Sequence, residues 1–150
     1  MIDKGKKMSD KLSVLKDYFG HDSFRDGQEQ IVDALLDGRD ALCIMPTGAG
    51  KSMCYQIPAL LFDGVTIVVS PLISLMKDQV GALTEAGIPA AYINSSLTEA
   101  QQSAVFSKAH SGAYKLIYVC GVIRLHVVYY QVVRLPAREG VFQVCKPFLS

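Results

Sequence analysis

Lys51 and Ser52, preceded by Thr47, Gly48, Ala49 and Gly50, are the residues of this chain whose types and order can hold a polyphosphate. Glycines at 48 and 50 let the backbone curl, so that successive N–H groups turn inward and form a nest for anionic oxygens. A helix beginning near Lys51 adds the positive end of its dipole. The Lys51 ammonium is then a point charge for β- and γ-phosphates, and the Ser52 hydroxyl a ligand for Mg²⁺ beside phosphate oxygens. Gly50-Lys51-Ser52 closes the Walker A pattern, with Met45 where the strict pattern has its first glycine. A glycine-rich strand-to-helix turn that binds nothing is the alternative. Its flanks count against that: Ala41 to Met45 reads as a fully buried strand and Met53 onward as a helix, the setting the motif needs.

Three other clusters carry polar chemistry. In the connection from Phe19 to Gln28, Arg25 can stack on or donate to an aromatic ring. The Gln28 amide offers the paired donor and acceptor that suit the N6/N7 edge of adenine. A solvated loop whose glutamine caps the next helix accounts for these residues equally well. Ser70 to Val80 begins at a strand end. Its helix start can receive a nucleic-acid phosphate through backbone N–H groups, with Ser70 and Ser74 as hydroxyl partners and Lys77 as a nearby charge. Asn94, Ser95 and Ser96 offer a further polar cluster at the next strand end. Ordinary helix capping is the competing account of both.

The elements that must position these groups follow from periodicity and turn chemistry. Ser9 or Asp10 can cap a helix with Leu12, Leu15, Tyr18 and Phe19 on its inner face and Gly20 past its end. A second helix carries Ile31, Val32, Leu35 and Leu36 and stops at Gly38. After the glycine loop, Pro58 either kinks the helix or opens a new turn. Val65 to Ser70 is a buried strand, and Leu72 to Ala86 an amphipathic helix with Leu72, Leu75, Met76, Val80 and Leu83 inward and Gly87 as its stop. Ala90 to Ile93 is a short strand. Ser96 to Glu99 reads as a capping box for a helix running to about His110, and Lys115 to Val119 as a fourth strand. Strand and helix thus alternate from Asp40 to Val119, which predicts an α/β fold with a parallel sheet covered on both faces and ligand at the carboxyl ends of its strands.

The bulk properties set limits. At 150 residues, half of them apolar, the chain has the size of one globular domain. The formal net charge of +1 is unevenly spread: no aspartate follows Asp78, and residues 120–150 carry Arg124, Arg134, Arg138 and Lys146 against Glu139 alone. The cysteines at 43, 54, 120 and 145 form no C-x-x-C pair and no zinc pattern, so a reduced, cytoplasmic protein is expected. No stretch approaches the ~18 uninterrupted apolar residues of a membrane span, and none reads as a secretory signal.

Taken together these stretches resemble the amino-terminal part of a RecQ-type ATP-dependent DNA helicase of superfamily 2. Phe19-Gly20, Phe24-Arg25 and Gly27-Gln28 are similar to the family's adenine-reading motif, Met45 to Ser52 to its motif I, and Val69 to Val80 to its motif Ia. The resemblance covers residues from about 12 to 119. It implies a P-loop NTPase, RecA-like lobe that is incomplete, binding ATP and Mg²⁺ and acting on DNA, single-stranded and at duplex junctions, in recombination and repair. His21 (in place of a base-stacking tyrosine), Arg25 and Gln28 would meet adenine. Thr47, Gly48, Ala49, Gly50, Lys51 and Ser52 would hold the phosphates, with Lys51 catalytic and Ser52 on Mg²⁺. Ser70, Pro71, Leu72, Ser74, Lys77, Asn94 and Ser95 would track single-stranded DNA. The implied organisation is a helical segment at 1–39, a partial ATP-binding lobe at 40–119 and an atypical tail at 120–150, arising from a frameshift or an erroneous end. After Val119 the chain departs from the Ala-Pro-Glu-Arg-like continuation, and no strand end carries the acidic pair that hydrolysis needs. A non-hydrolysing nucleotide-binding remnant and a small-molecule P-loop kinase are the rival expectations.

Overall fold

A computed structural model describes residues 4–120, 131–135 and 143–145, with side-chain environments from residue 10 to 120. The chain divides into two compact units, residues 1–62 and 63–150.

The first unit holds three helices: α1 (Lys4–Phe19), α2 (Gln28–Leu36) and α3 (Met53–Leu61). Helix α1 ends where the sequence says it must. Gly20 takes a positive φ of 69°, and the N–H groups of Gly20 and His21 close back on the carbonyls of Lys16 and Leu15. Gly38 ends α2 in the same way, its own N–H and that of Arg39 returning to Leu35 and Ala34. Leu15, Val32 and Ile57 form the core, with Val14, Phe19, Phe24, Leu36, Met53 and Leu61 packed around them. The inner face of α1 differs from its expected one, because Leu12 and Tyr18 are exposed while Lys11 is buried. Helix α2 presents Glu29 and Asp33 to Lys11, which makes its burial tolerable. Helix α3 runs through Pro58, which removes one i→i−4 bond from its interior without ending it.

The expected strand at 41–45 does not form. The segment is irregular, with Ala41, Cys43 and Met45 half-buried and Leu42 and Ile44 exposed, Ile44 at 73%. An apolar run becomes a strand only when a neighbour completes its ladder, and among the described residues none hydrogen-bonds to this one.

The second unit alternates strand and helix: β1 (Val65–Val69), α4 (Ile73–Glu85), β2 (Ala90–Ile93), α5 (Glu99–His110) and β3 (Leu116–Val119). The strands β2, β3 and β1 lie side by side and parallel, with Ile67 opposite Ile117 and Ala91 opposite Ile117 on the other side. Parallel pairing is what α-helical crossovers impose. Val68, Leu116, Ile117 and Tyr118 are buried, and Met76 and Leu83 of α4 are buried with them. Leu72, expected inward, is 49% exposed because it sits at the extended residue before α4 rather than on its inner stripe. The capping box lies two residues later than expected: Thr98 accepts from the Gln101 N–H and the Gln101 side chain accepts from the Thr98 N–H. Ser96 is instead held by Asn94.

Beyond β3, the strands β4 (Gln131–Leu135) and β5 (Gln143–Cys145) extend the sheet antiparallel, giving the order β2-β3-β1-β4-β5. The rest of the tail, including Arg124 and Arg138, lies outside the described residues.

Candidate nucleotide-binding loop

The loop between the irregular segment at 41–45 and helix α3 is shaped by its two glycines. Gly48 and Gly50 sit at φ of 83° and 76°, the left-handed region where a side chain strains the backbone. The Ala49 N–H closes a turn on the Pro46 carbonyl, 3.3 Å away. Gly50 and Lys51 then accept from Met53 and Cys54, tight turns that carry the chain into α3 at Met53, where the sequence places the helix. Among the described residues, the N–H groups of Gly48, Gly50, Lys51 and Ser52 have no protein acceptor. Unpaired amides at a helix start are what an anion requires. Lys51 is exposed and has no carboxylate partner among the described residues, Ser52 is half-buried with its hydroxyl free of any capping bond, and Thr47 is exposed.

Two residues from the expected base-reading motif hold this loop from behind. The Arg25 guanidinium donates to the Gly48 carbonyl at 2.8 Å. The Gln28 amide donates to the carbonyls of Ala49 and Gly50, each at 3.0 Å, while its oxygen accepts from the Arg25 N–H at 2.9 Å. Gln28 is 3% exposed, and both ends of its amide are engaged by protein. Turning three carbonyls of the loop backward is the complement of leaving its N–H groups forward. No hydrogen bond or ion pair joins the exposed His21 side chain to residues 46–52 among the described residues.

Sequence reasoning missed Lys11, which joins Glu29 and Asp33 of α2. The signal available was the pair of acids four residues apart on α2, but nothing local pointed from them to α1. It also missed the sulfur cluster behind the loop, where the Cys54 thiol lies 3.9 Å from the Met45 sulfur and contacts Cys43. Burial first, and the neighbouring Cys43 next, push the Cys54 thiol up to about 12. A folded-state value raised above the ordinary 9.0 means stability that is complete below pH 9 and lost as pH climbs toward 12. Thermal unfolding followed across that range should show a falling midpoint, with a shallower slope in Cys54→Ala. Equal slopes would remove this thiol from the alkaline response.

In the second unit, the expected DNA-facing residues divide by burial. Ser70 is 1% exposed, and its hydroxyl accepts from the Leu72 N–H at 3.5 Å. Asn94 is 4% exposed, and its side-chain oxygen accepts from the N–H and hydroxyl of Ser96. Pro71, Leu72, Ser74, Lys77 and Ser95 are exposed. Helix α4 has no side-chain cap at its start, so its first N–H groups are available to an outside acceptor. Among the described residues there is no cluster of three or more His, Cys, Asp or Glu side chains suited to a metal, and no helix long and apolar enough to cross a membrane.

Residues 25–135 match the model of the DEAD/DEAH box helicase family. Over 108 residues the chain is 61% identical to the ATP-dependent DNA helicase RecQ of Haemophilus influenzae, covering 72% of this chain and 17% of that protein. It is 59% identical to the RecQ of Pasteurella multocida and 56% to that of Bacillus subtilis, over similar shares. The chain therefore spans less than a fifth of the length of these relatives.

Proposed function

The chain belongs to the DEAD/DEAH box helicase family, on its RecQ-type branch, and from that premise we propose that residues 46–52 bind Mg·ATP in the service of a 3′-to-5′ DNA helicase of recombination and repair. The observation that carries this reading is the loop with its carbonyls bound from behind by Arg25 and Gln28, and four N–H groups left without a protein acceptor. Both the donor set and the exposed, unpaired Lys51 suit a polyphosphate. Bound Mg·ATP supplies a phosphoanhydride whose cleavage releases the energy for strand separation. Lys51 would offset the charge of the terminal phosphates, the amides of Gly48, Gly50, Lys51 and Ser52 would orient their oxygens, and the Ser52 hydroxyl would be a ligand for the Mg²⁺ that polarises them. His21, Arg25 and Gln28 stand beside the base by family resemblance. A direct contact of Gln28 with adenine then requires its amide to exchange a protein partner for the base.

For DNA, the exposed Pro71, Leu72, Ser74, Lys77 and Ser95 and the uncapped start of α4 form the contact surface, with Ser70 and Asn94 shaping it from within. We divide the chain into a helical segment at 1–39, a partial RecA-like lobe at 40–119 and an atypical tail at 120–150, and place it in the bacterial cytosol or nucleoid. Resequencing the coding region across position 119 tests the tail: an Ala-Pro-Glu-Arg pattern in another frame supports its foreign origin, and one uninterrupted frame rejects it.

A second reading rests on one observation. No aspartate follows Asp78, so the acidic pair that positions Mg²⁺ and water in hydrolysing members of such folds has no counterpart at a later strand end. The chain on its own then binds nucleotide without turning it over. A single-turnover ATPase assay with and without single-stranded DNA separates the two: DNA-stimulated phosphate release supports the enzyme, binding without release supports the remnant, and turnover indifferent to DNA points to a kinase-like protein.

A further inference from the structure

Among the described residues Lys11 alone is a charged side chain that is almost wholly buried, 2% exposed. Its ammonium meets Asp33 at 2.5 Å and Glu29 at 2.9 Å, and lies 5.9 Å from the centre of the Phe24 ring. Burial pulls its pKa down, but the hydrogen bonds and charges of Asp33 and Glu29 outweigh that and hold it above the usual 10.5, so the cation persists at neutral pH. Lys11 is buried while Glu29 and Asp33 are about half exposed, 50% and 48%, so part of the gain from pairing is offset by taking the ammonium out of water. What the pairing does supply is direction, because charge-assisted bonds fix where their partners sit.

Two of those partners adjoin a residue that holds the loop. Phe24 immediately precedes Arg25, Glu29 immediately follows Gln28, and Asp33 lies about one turn further along α2. Arg25 and Gln28 in turn fix the carbonyls of Gly48, Ala49 and Gly50. We propose that Lys11 is a positioning residue of the nucleotide site, clamping Phe24 and the first turns of α2 so that Arg25 and Gln28 hold the loop in its anion-binding shape. The proposal rests on the reading of 46–52 as that site. Lys11 acts only through these neighbours.

The test uses the whole 150-residue chain. Lys11→Met keeps the apolar stem and removes the charge, and Lys11→Arg keeps the charge. Amide hydrogen exchange at 46–52 is read without nucleotide, and affinity for a fluorescent Mg·ATP analogue is read separately. Lys11→Met should speed exchange at 46–52 and raise the Kd, each by about tenfold, while leaving exchange in β1 and β3 unchanged. Lys11→Arg should restore both in large part. A folded Lys11→Met that melts earlier but exchanges and binds at 46–52 like the wild type overturns the proposal, because that is what a merely structural lysine gives. Should Lys11→Met not fold, Glu29→Gln, which keeps the Asp33 bond, should show a smaller change of the same sign, and no change overturns the proposal. If the wild type binds no analogue yet loop exchange responds to Lys11→Met, the nucleotide reading falls and the coupling of Lys11 to the loop stands.

Discussion

Replacing Lys51 by Ala should weaken Mg·ATP binding on the order of 100-fold while leaving the fold intact. The lysine is exposed and has no carboxylate partner among the described residues, so its removal strands no buried group and opens no cavity. The change is therefore confined to the ligand. Charge-assisted hydrogen bonds contribute about 1.5–3 kcal/mol each, and on the proposed reading the ammonium meets more than one phosphate oxygen. Isothermal titration with ATP, ADP and AMP checks it: the loss should shrink as phosphates are removed. An equal loss for AMP would mean that Lys51 acts elsewhere than on the terminal phosphates, and unchanged ATP affinity would remove the loop from nucleotide binding altogether.

Alanine at Gly50 should be far more damaging than alanine at Gly48, although both glycines have positive φ. Each substitution strains the backbone, by roughly 1–2 kcal/mol. At Gly48 nothing lies within 4 Å of the added carbon, so strain is the whole effect. At Gly50 that carbon falls 2.5 Å from the Gln28 amide nitrogen, and the amide must leave the carbonyls of Ala49 and Gly50 to make room. Gln28 is 3% exposed, so its displaced donors find no water, and a buried unpaired polar group costs about 1–3 kcal/mol more. Urea unfolding of the two variants measures the difference directly. Combining Gly50→Ala with Gln28→Ala should recover most of the extra loss, since the clashing group is gone. A Gly50→Ala variant no less stable than Gly48→Ala would show that Gln28 yields without penalty and does not hold the loop.

Glycines at 20, 38 and 87 past helix ends, the strands at 65–69, 90–93 and 116–119, and the glycine curl at 48–50 were all legible. Each depends on a few adjacent residues and on backbone preferences that hold in any fold. The apolar run at 41–45 was not legible, because its residues specify a strand only if another strand lies alongside. The start of α5 was read at Ser96, two residues too early, for a related reason. Ser96 and Thr98 are both competent caps, and Asn94 decided between them by taking Ser96 for itself.

For the candidate site the division is sharper. By itself the sequence pointed to the residues proposed to meet a phosphate, since Gly48, Gly50, Lys51 and Ser52 fall within five positions and their chemistry does not depend on distant parts of the chain. Only the tertiary structure decided that Gln28 and Arg25 reach the loop's carbonyls, that Lys11 is buried between two acids and an aromatic ring, and that Ser70 and Asn94 spend their polar atoms internally. A polar side chain states what it can bond, but which partner it takes is set by the elements that packing brings within about 3 Å of it, and that distance is not written in residue order.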